Sequence, residues 1–248
     1  MRTDAEVSLV GRSEPDRKTA PVLWERVEFW LRQSLRDLEF TGKAVLDIGA
    51  GDGLFSCYMA LHGAARVVAL EPELAGAGRH ARMTLIERVQ ALQLNNVIGL
   101  ADTFQDYAGS SREFDVIVAH DVINHLDEHA VAALHRDPRA RASYAALLTK
   151  LYELLKPGGV LVMADCARDN LFAWLGVRNP VAPTIEWVKH QNPDLWMGLL
   201  HEAGFERAEL HWTYPRRLRM FGRLLDSRVM AFLMESHFVL HARRPVAL

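Results

Sequence analysis

The chain has 248 residues, of which 50% are apolar and 24% are charged, a balance typical of a globular protein and not of a fibrous or disordered one. Its 29 basic and 31 acidic residues give a formal charge of −2, so no bulk positive field is available to hold nucleic acid or anionic lipid. Cys57 and Cys166 lack the spacing of a zinc or disulfide framework, and we interpret them as buried thiols in a reducing compartment.

The N-terminal segment is charged, and no apolar run approaches the roughly 18 residues that cross a bilayer. We therefore expect a cytoplasmic protein with no membrane or nucleic-acid partner. Residues 1 to about 20 are polar and predict a loose arm or a flap that is ordered by another group. The apolar spacing over Val22–Phe40 predicts an amphipathic helix. A strand over Lys43–Gly49, a glycine turn and a helix over Leu54–His62 follow. Further strands are predicted at Arg66–Glu71, Val97–Ala101 and Phe114–Ala119, with a helix between the first two that reaches about Leu94.

The second half continues this alternation with a helix over Tyr144–Leu155, a turn at Lys156–Gly159 and a strand over Val160–Ala164. Five strands that alternate with helices predict a parallel sheet covered on both faces. The aperiodic stretch 169–197 is interpreted as a cap over the carboxyl edge of that sheet. A helix over Pro193–Ala203, β-like stretches at Arg207–Tyr214 and Ser236–Arg243, and a helical segment over Leu218–Met234 complete the chain. The expected parts are an arm and helix (1–40), a cofactor-binding core (41–168), the cap (169–197) and the C-terminal part of the sheet (198–248).

The turn after the first strand is rich in glycine and reads Asp47-Ile-Gly49-Ala-Gly51-Asp52-Gly53. A dinucleotide fingerprint needs a glycine at the sixth position from Gly49, where Leu54 stands, and no lysine followed by serine or threonine marks a phosphate-binding loop. Asp47 is placed to meet a cation, and Glu71, after the second strand, is placed to accept hydrogen bonds from a ribose diol. A ligand with a ribose, a cationic amine and no phosphate is S-adenosylmethionine.

At these residues the sequence resembles the class I S-adenosylmethionine-dependent methyltransferases. The resemblance lies in Val45–Gly53, Glu71, Asp102 and Leu155–Gly159, in that order along residues 40 to 165. It implies a doubly wound, Rossmann-like α/β fold with a mostly parallel seven-stranded sheet, helices on both faces and an added cap. It also implies that the methionine part is contacted by Asp47, Gly49 and Gly51, the ribose by Glu71, and the adenine by Asp102, Thr103 and Phe104. Asp52 could instead cap the following helix, and Phe104 could be a core residue.

The residues after the fourth strand form a polar group, His120-Asp121-Val-Ile-Asn124-His125. On a helical turn, Asp121, Asn124 and His125 would share one face. The stretch resembles the Glu-x-x-Glu-His segment of the ubiquinone-type O-methyltransferases, which is associated with a divalent cation, and so implies Mg²⁺ at these three residues. Asn124 stands where that segment has an acid, which removes one negative charge. The alternative interpretation is that His125 is a buried helix histidine and Asp121 a helix cap.

His120 lies where a base for the acceptor hydroxyl has to be, and it could equally contact the cofactor. Asp165, after the fifth strand, is a further candidate for the pocket or a cap of the strand end. The cap residues Trp174, Trp187 and Trp196 suit a ligand surface or the core of a small lid. The basic run Pro215–Arg219, with Arg223 and Arg228, suits an anionic substrate or a solvated face.

The leading hypothesis is an S-adenosylmethionine-dependent O-methyltransferase acting on a hydroxyl of a small molecule such as a sugar, polyol or phenolic natural product, with catalytic residues His120 and Asp121 and with or without Mg²⁺. The alternatives are metal-independent N- or C-methylation and a non-catalytic cofactor-binding subunit. The sequence leaves open the acceptor molecule and whether the chain forms a homodimer.

Overall fold

The computed structural model describes residues 20–36, 38–72, 77–180, 182–214 and 220–246. The strands are β1 Ala44–Ile48, β2 Arg66–Leu70, β3 Val97–Leu100, β4 Phe114–His120, β5 Leu155–Cys166, β6 Glu209–Trp212 and β7 His237–Arg243. The helices are α1 Ala20–Leu35, α2 Leu54–Leu61, α3 Ala77–Ala91, α4 Glu128–Ala133, α5 Pro138–Leu154, α6 Leu171–Trp174, α7 Pro193–Glu202, α8 Gly222–Leu225 and α9 Arg228–Leu233, with 3-10 turns at Ile123–His125 and Trp187–Lys189.

The strands form one seven-stranded sheet in the order β3-β2-β1-β4-β5-β7-β6. β1 pairs with β2 and β2 with β3 in parallel, whereas β7 pairs antiparallel with both β5 and β6. The predicted Rossmann-like, mostly parallel α/β fold is confirmed. No helix within the described residues has the length and apolarity that a bilayer crossing requires.

The described residues divide into two compact units, the first from those within 20–108 and 114–118 and the second from those within 109–113 and 119–246. In the first unit, β1 and β2 are buried along almost their whole length, and α2 buries Phe55, Cys57 and Met59. Both cysteines of the chain are buried free thiols, as predicted, and burial raises the pKa of each. Ala44 N–H donates to the Asp115 carboxylate at 2.8 Å, which ties the start of β1 to β4 within this unit.

In the second unit, α5 begins with Asp137 as its cap and Pro138 in its first turn. Its fully buried Tyr144 donates a hydrogen bond to the Ile123 carbonyl at 2.9 Å and packs edge-on against Trp196, with ring centroids 5.2 Å apart. Trp196 is fully buried in α7, so of the three cap tryptophans this one is a core residue.

Several predicted boundaries differ from the observed ones. The first helix ends at Leu35, earlier than the predicted Phe40, and the next residue, Arg36, has a left-handed φ of 49°. The segment predicted as one helix over Leu218–Met234 contains two short helices separated at Asp226 and Ser227, and the Ser227 hydroxyl caps the second. The predicted arm at residues 1–19 and the basic run at 215–219 lie outside the described residues, as does the side chain of Arg223.

Candidate functional sites

The turn between β1 and α2 is built on three glycines with left-handed backbone, Gly49 at φ 65°, Gly51 at φ 55° and Gly53 at φ 79°. L-residues with a Cβ rarely adopt this conformation, so the tight turn requires glycine at these positions. A Cβ on Gly53 would lie 2.2 Å from Leu85 Cδ1 of α3, so Gly53 also serves packing. A Cβ on Gly51 would meet only the Gly49 carbonyl oxygen at 4.0 Å, so open space adjoins the backbone there.

Asp47 is the buried acid of this turn. It is the fourth residue of β1, is only 2% exposed, and accepts a hydrogen bond from the Ser56 hydroxyl at 2.5 Å. Burial raises the pKa of Asp47 to about 7; the Ser56 hydrogen bond opposes this increase, and the nearby charge of Glu71 adds to it. Asp47 therefore changes its charge near neutral pH.

Glu71 follows β2 and its carboxylate is directed at the glycine turn. Its Oε2 accepts a hydrogen bond from Gly51 N–H at 2.8 Å. Burial raises the pKa of Glu71, and the Gly51 hydrogen bond partly offsets this effect. Asp47, Gly51 and Glu71, expected from the sequence to share one ligand, are thus brought together in the first unit by these contacts.

Asp52 has a structural role in the same turn. Its carboxylate accepts a hydrogen bond from Leu54 N–H at 3.3 Å and forms an ion pair with Arg88 of α3 at 3.0 Å. The Arg88 guanidinium also donates to the Asp52 carbonyl at 2.7 Å. The interpretation of Asp52 as the helix cap is borne out only in part: the N-cap position of α2 is held by Gly53, and Asp52, one residue earlier, accepts from Leu54 N–H.

The three candidate residues after β3, Asp102, Thr103 and Phe104, differ in how far they are exposed to solvent. Asp102 is exposed, whereas Phe104 is 2% exposed and belongs to the core, the alternative left open by the sequence. The Thr103 hydroxyl donates to the Asp106 carboxylate at 2.7 Å and so stabilises the local turn. Contact of these residues with an adenine stays a prediction.

A second group of polar residues lies in the second unit, around Asp121. The Asp121 carboxylate lies between two imidazoles, with Oδ2 3.2 Å from His120 Nδ1 and Oδ1 3.0 Å from His237 Nε2. One ligating atom from each residue lies within 4.8 Å of the others. Asp121 has a left-handed φ of 53°, and its N–H donates to the Ala164 carbonyl of β5 at 3.0 Å. We refer to His120, Asp121 and His237 as the imidazole–carboxylate cluster.

The imidazoles favour a negative charge on Asp121, and Asp121 favours a positive charge on His237. Burial opposes ionisation of Asp121, but His120 and His237 outweigh it and hold the pKa of the carboxyl well below its usual range. Burial likewise opposes a charge on His237, but Asp121 outweighs it and raises the pKa of the imidazole. Asp121 is therefore a stable anion that is compensated by imidazole.

His237 was missed by the sequence analysis because it lies 116 residues from Asp121. It is the first residue of β7, and the antiparallel register pairs it with Cys166, the last residue of β5. An antiparallel strand begins at the edge where its parallel neighbours end, so the first residue of a predicted antiparallel strand is a site candidate. His237 Nδ1 lies 2.9 Å from the Thr213 hydroxyl oxygen, which fixes the ring.

The helical face expected for Asp121, Asn124 and His125 is not formed. The 3-10 turn begins only at Ile123, and the left-handed Asp121 precedes it. His125 is half exposed, and its Nδ1 lies 2.8 Å from Glu128 Oε1, so it is not a buried helix histidine. Asn124 is 3% exposed, and its Oδ1 is buried without a hydrogen-bond partner among the described residues.

Asp165 of β5 forms a buried pair with His190. The Asp165 carboxylate is 1% exposed, and its Oδ1 lies 2.8 Å from His190 Nδ1. Burial raises the pKa of Asp165, and the hydrogen bond from His190 opposes this increase. The sequence analysis did not predict this pair, which joins Asp165 of β5 to His190 of the predicted cap.

A groove of about 670 Å³ in the second unit is lined by residues of the predicted cap and of α9. Trp174 is 78% exposed on it, and Arg228 on its wall is paired with Asp194 at 2.9 Å. Its lining residues include Arg168, Trp174, Trp187, Val188, Arg228 and Phe232. The role of these aromatic residues as a ligand surface stays a prediction.

Known proteins similar to this chain in sequence or in structure are named methyltransferases or share its fold. A curated relative, the ubiquinone biosynthesis O-methyltransferase of Cereibacter sphaeroides, is 32% identical over 181 residues. The alignment covers 69% of this chain and 64% of the relative, so this chain spans less than two thirds of the length of the curated relative.

Among solved structures, an S-adenosylmethionine-dependent methyltransferase of Aquifex aeolicus has a TM-score of 0.59 and 15% identity, covering 98% of this chain and 99% of its own. The SpnF cyclase has a TM-score of 0.58 and 15% identity, covering 94% of this chain and 86% of its own. Likeness at this level of identity shows the fold alone. A family profile described as a methyltransferase domain matches residues 24–210, and the chain therefore belongs to the methyltransferase domain family.

Proposed function

We propose that this protein is an S-adenosylmethionine-dependent O-methyltransferase that acts on a hydroxyl group of a small molecule. Membership of the methyltransferase domain family and the similarity to a relative named for O-methylation support the reaction class. The observation that carries the choice of a hydroxyl acceptor is the imidazole–carboxylate cluster at the end of β4, because a hydroxyl nucleophile has to lose its proton.

The turn after β1 fits the cofactor. When bound, S-adenosylmethionine supplies an electrophilic methyl group on a sulfonium. The open space beside Gly51 allows the backbone to approach the ligand, with Gly49 in the same turn. Ionised Asp47 suits the ligand's ammonium group, and Glu71 suits the ribose hydroxyls, since only its Oε2 is used by Gly51. Asp102 and Thr103 are proposed for the adenine side, whereas Phe104 is a core residue.

His120 is the proposed acceptor of the hydroxyl proton in the metal-free protein. When its Nδ1 carries a proton and donates it to Asp121, Nε2 is the nitrogen of the ring that can accept. Ionised Asp121 then holds the ring in one orientation and stabilises the imidazolium that forms. In the proposed reaction the hydroxyl proton would pass to His120 while the acceptor oxygen gains the methyl group, the carbon–sulfur bond breaks and S-adenosylhomocysteine leaves.

Magnesium does not fit the residues that the structure brings together. Mg²⁺ prefers oxygen ligands in near-octahedral geometry. The proposed set of Asp121, Asn124 and His125 does not share a helix face, and the cluster around Asp121 contributes two imidazoles instead. The proposed reaction therefore has no step that uses Mg²⁺.

Cofactor binding and turnover test the proposal together. S-adenosylhomocysteine is expected to raise the melting temperature by selective binding to the folded state, and NADH is expected to leave it unchanged. Mass spectrometry of reactions with S-adenosylmethionine and a panel of sugars, polyols and phenols is expected to show a gain of one methyl group on oxygen. Methylation of amines or carbon acids alone would favour the N- or C-methyltransferase alternative, and a higher melting temperature with NADH alone would refute the cofactor assignment.

Replacement of Gly51 by alanine is expected to weaken S-adenosylhomocysteine binding at least about 10-fold, because the new methyl group occupies the space proposed for the ligand. Gly42→Ala is the matched control, since Gly42 also has a left-handed φ, of 73°, and no atom within 4 Å of a Cβ. Both variants are expected to lose stability by roughly 1–2 kcal/mol from backbone strain. Calorimetric titration and thermal melting measure the two effects, and equal cofactor affinity in both variants would remove Gly51 from the binding site.

A further inference from the structure

We propose that His120, Asp121 and His237 form a binding site for a divalent transition-metal cation of the Mn²⁺, Fe²⁺, Co²⁺ and Zn²⁺ class, in place of the magnesium site implied by the sequence. The ligands come from the end of β4, the residue after it and the start of β7. Two imidazoles and one carboxylate are a ligand set that favours these cations, whereas magnesium favours oxygen donors alone.

The distances within the cluster suit one shared cation. Nitrogen and oxygen ligands lie about 2.0–2.2 Å from such a cation, so two donors bound to it are roughly 3–3.5 Å apart. Asp121 already lies 3.2 Å from His120 Nδ1 and 3.0 Å from His237 Nε2, and all three donor atoms are within 4.8 Å of one another. A small movement of the two imidazoles towards each other would bring all three donor atoms within reach of one cation. The cation would then replace the protons between Asp121 and the two imidazoles.

A neighbouring hydroxyl supports the orientation of His237. The Thr213 hydroxyl oxygen is 2.9 Å from His237 Nδ1, while Nε2 faces Asp121. Histidine ligands are usually held in this way, by a hydrogen bond at the ring nitrogen that does not bind the metal. A hydroxyl both donates and accepts, so Thr213 can donate to Nδ1 in the metal-free protein and accept from Nδ1–H when Nε2 binds a cation.

The backbone holds the carboxylate ligand in an uncommon conformation. Asp121 has a φ of 53°, and its N–H is bound to the Ala164 carbonyl at 3.0 Å. Left-handed backbone at a residue other than glycine is strained and occurs preferentially at functional sites. Here it separates Asp121 from the following 3-10 turn and so places the carboxylate with His120 and His237 and not on a face shared with His125.

Three protein ligands leave coordination positions open, as in catalytic metal sites. This step rests on the proposed function: the open position would take the oxygen of the acceptor hydroxyl and lower its pKa, so that the hydroxyl proton passes to water. With a cation in place His120 is then a ligand and not the proton acceptor.

The test is metal binding by protein that has been stripped with EDTA and dialysed. Calorimetric titration is expected to show one equivalent of Mn²⁺ or Zn²⁺ per chain, with Mg²⁺ bound at least about 100-fold more weakly, and bound Mn²⁺ is expected to lose its free-ion EPR signal. His237→Ala is expected to lower the affinity for Mn²⁺ at least about 100-fold, and Thr213→Val is expected to lower it about 10-fold through the ring orientation.

The matched control is His125→Ala, which removes the histidine of the set implied by the sequence and is expected to leave Mn²⁺ affinity unchanged. Should His237→Ala fail to fold, as judged by circular dichroism, Thr213→Val and His125→Ala decide the question. The inference is overturned if neither Mn²⁺ nor Zn²⁺ binds, if Mg²⁺ binds as tightly, or if binding depends on His125 and not on His237 or Thr213. Titration of the same stripped protein with S-adenosylhomocysteine tests the proposed function separately, because cofactor binding does not use this cluster's metal.

Discussion

Asp47→Asn is expected to raise the free energy of unfolding at pH 8 by about 4 kcal/mol and to weaken S-adenosylhomocysteine binding. The folded protein raises the pKa of Asp47 from 3.8 to about 7, and a tenfold change in the acid dissociation constant corresponds to about 1.4 kcal/mol. Between about pH 4 and pH 7 the folded state keeps a proton that the unfolded state has lost, so this group makes stability fall as pH rises through that window. Above about pH 7 Asp47 is ionised in the folded protein as well, and the cost of burying its carboxylate then lowers the free energy of unfolding by the full amount.

Asparagine removes this pH dependence because it does not titrate and its carbonyl oxygen still accepts the Ser56 hydrogen bond. The variant loses the negative charge proposed to meet the ligand's ammonium group. In the unsubstituted protein, cofactor affinity is therefore expected to increase as pH rises through 7, and in Asp47→Asn it is expected to be weak and flat. Urea unfolding and calorimetric titration at pH 6 and 8 measure both effects, with Glu87→Gln as an exposed carboxylate control. If Asp47→Asn shows the same pH dependence of stability and cofactor affinity as the unsubstituted protein, Asp47 is not the titrating group.

The turn that holds Asp47 could be predicted from sequence because its signals are local. Val45–Ile48 is a short apolar run, Gly49, Gly51 and Gly53 need the left-handed backbone that only glycine adopts readily, and apolar residues resume directly at Leu54. The strand boundaries of β1 to β4 follow for the same reason, since alternation with helices and glycine turns marks each strand end.

The imidazole–carboxylate cluster could be predicted only in part. His120 and Asp121 follow directly from the end of a predicted strand, but the contact between Asp121 and His237 depends on the antiparallel register of β7 against β5. Spacing along the chain carries no information on that register. The expected face of Asp121, Asn124 and His125 assumed a helix starting at Asp121, and the left-handed φ of this non-glycine residue delays the turn to Ile123. Nothing in the residue types alone indicates such a φ, although aspartate tolerates it better than most residues.

Asp121→Asn is expected to lower kcat/KM for methyl transfer at least about 100-fold while leaving S-adenosylhomocysteine affinity within about 3-fold of the original. Asparagine is chosen over alanine because it also tolerates the left-handed backbone at this position, so the substitution removes charge with little added strain. The loss follows whether the cluster takes up the hydroxyl proton or a cation, since the Asp121 carboxylate contacts both His120 and His237.

The comparison variant is His125→Gln, which alters an exposed imidazole paired with Glu128 and is expected to change turnover by less than about 3-fold. Assays with the acceptor found in the panel, followed with and without added Mn²⁺, measure both variants, and thermal melting shows whether each has kept its fold. Retention of more than about a third of the turnover in Asp121→Asn, or a comparable loss in His125→Gln, would mean that the cluster does not act on the acceptor. A loss of turnover confined to Asp121→Asn would instead assign the charge of this carboxylate to the methyl-transfer step. A folding defect would have lowered the melting temperature, and a cofactor-binding defect would have lowered the affinity for S-adenosylhomocysteine.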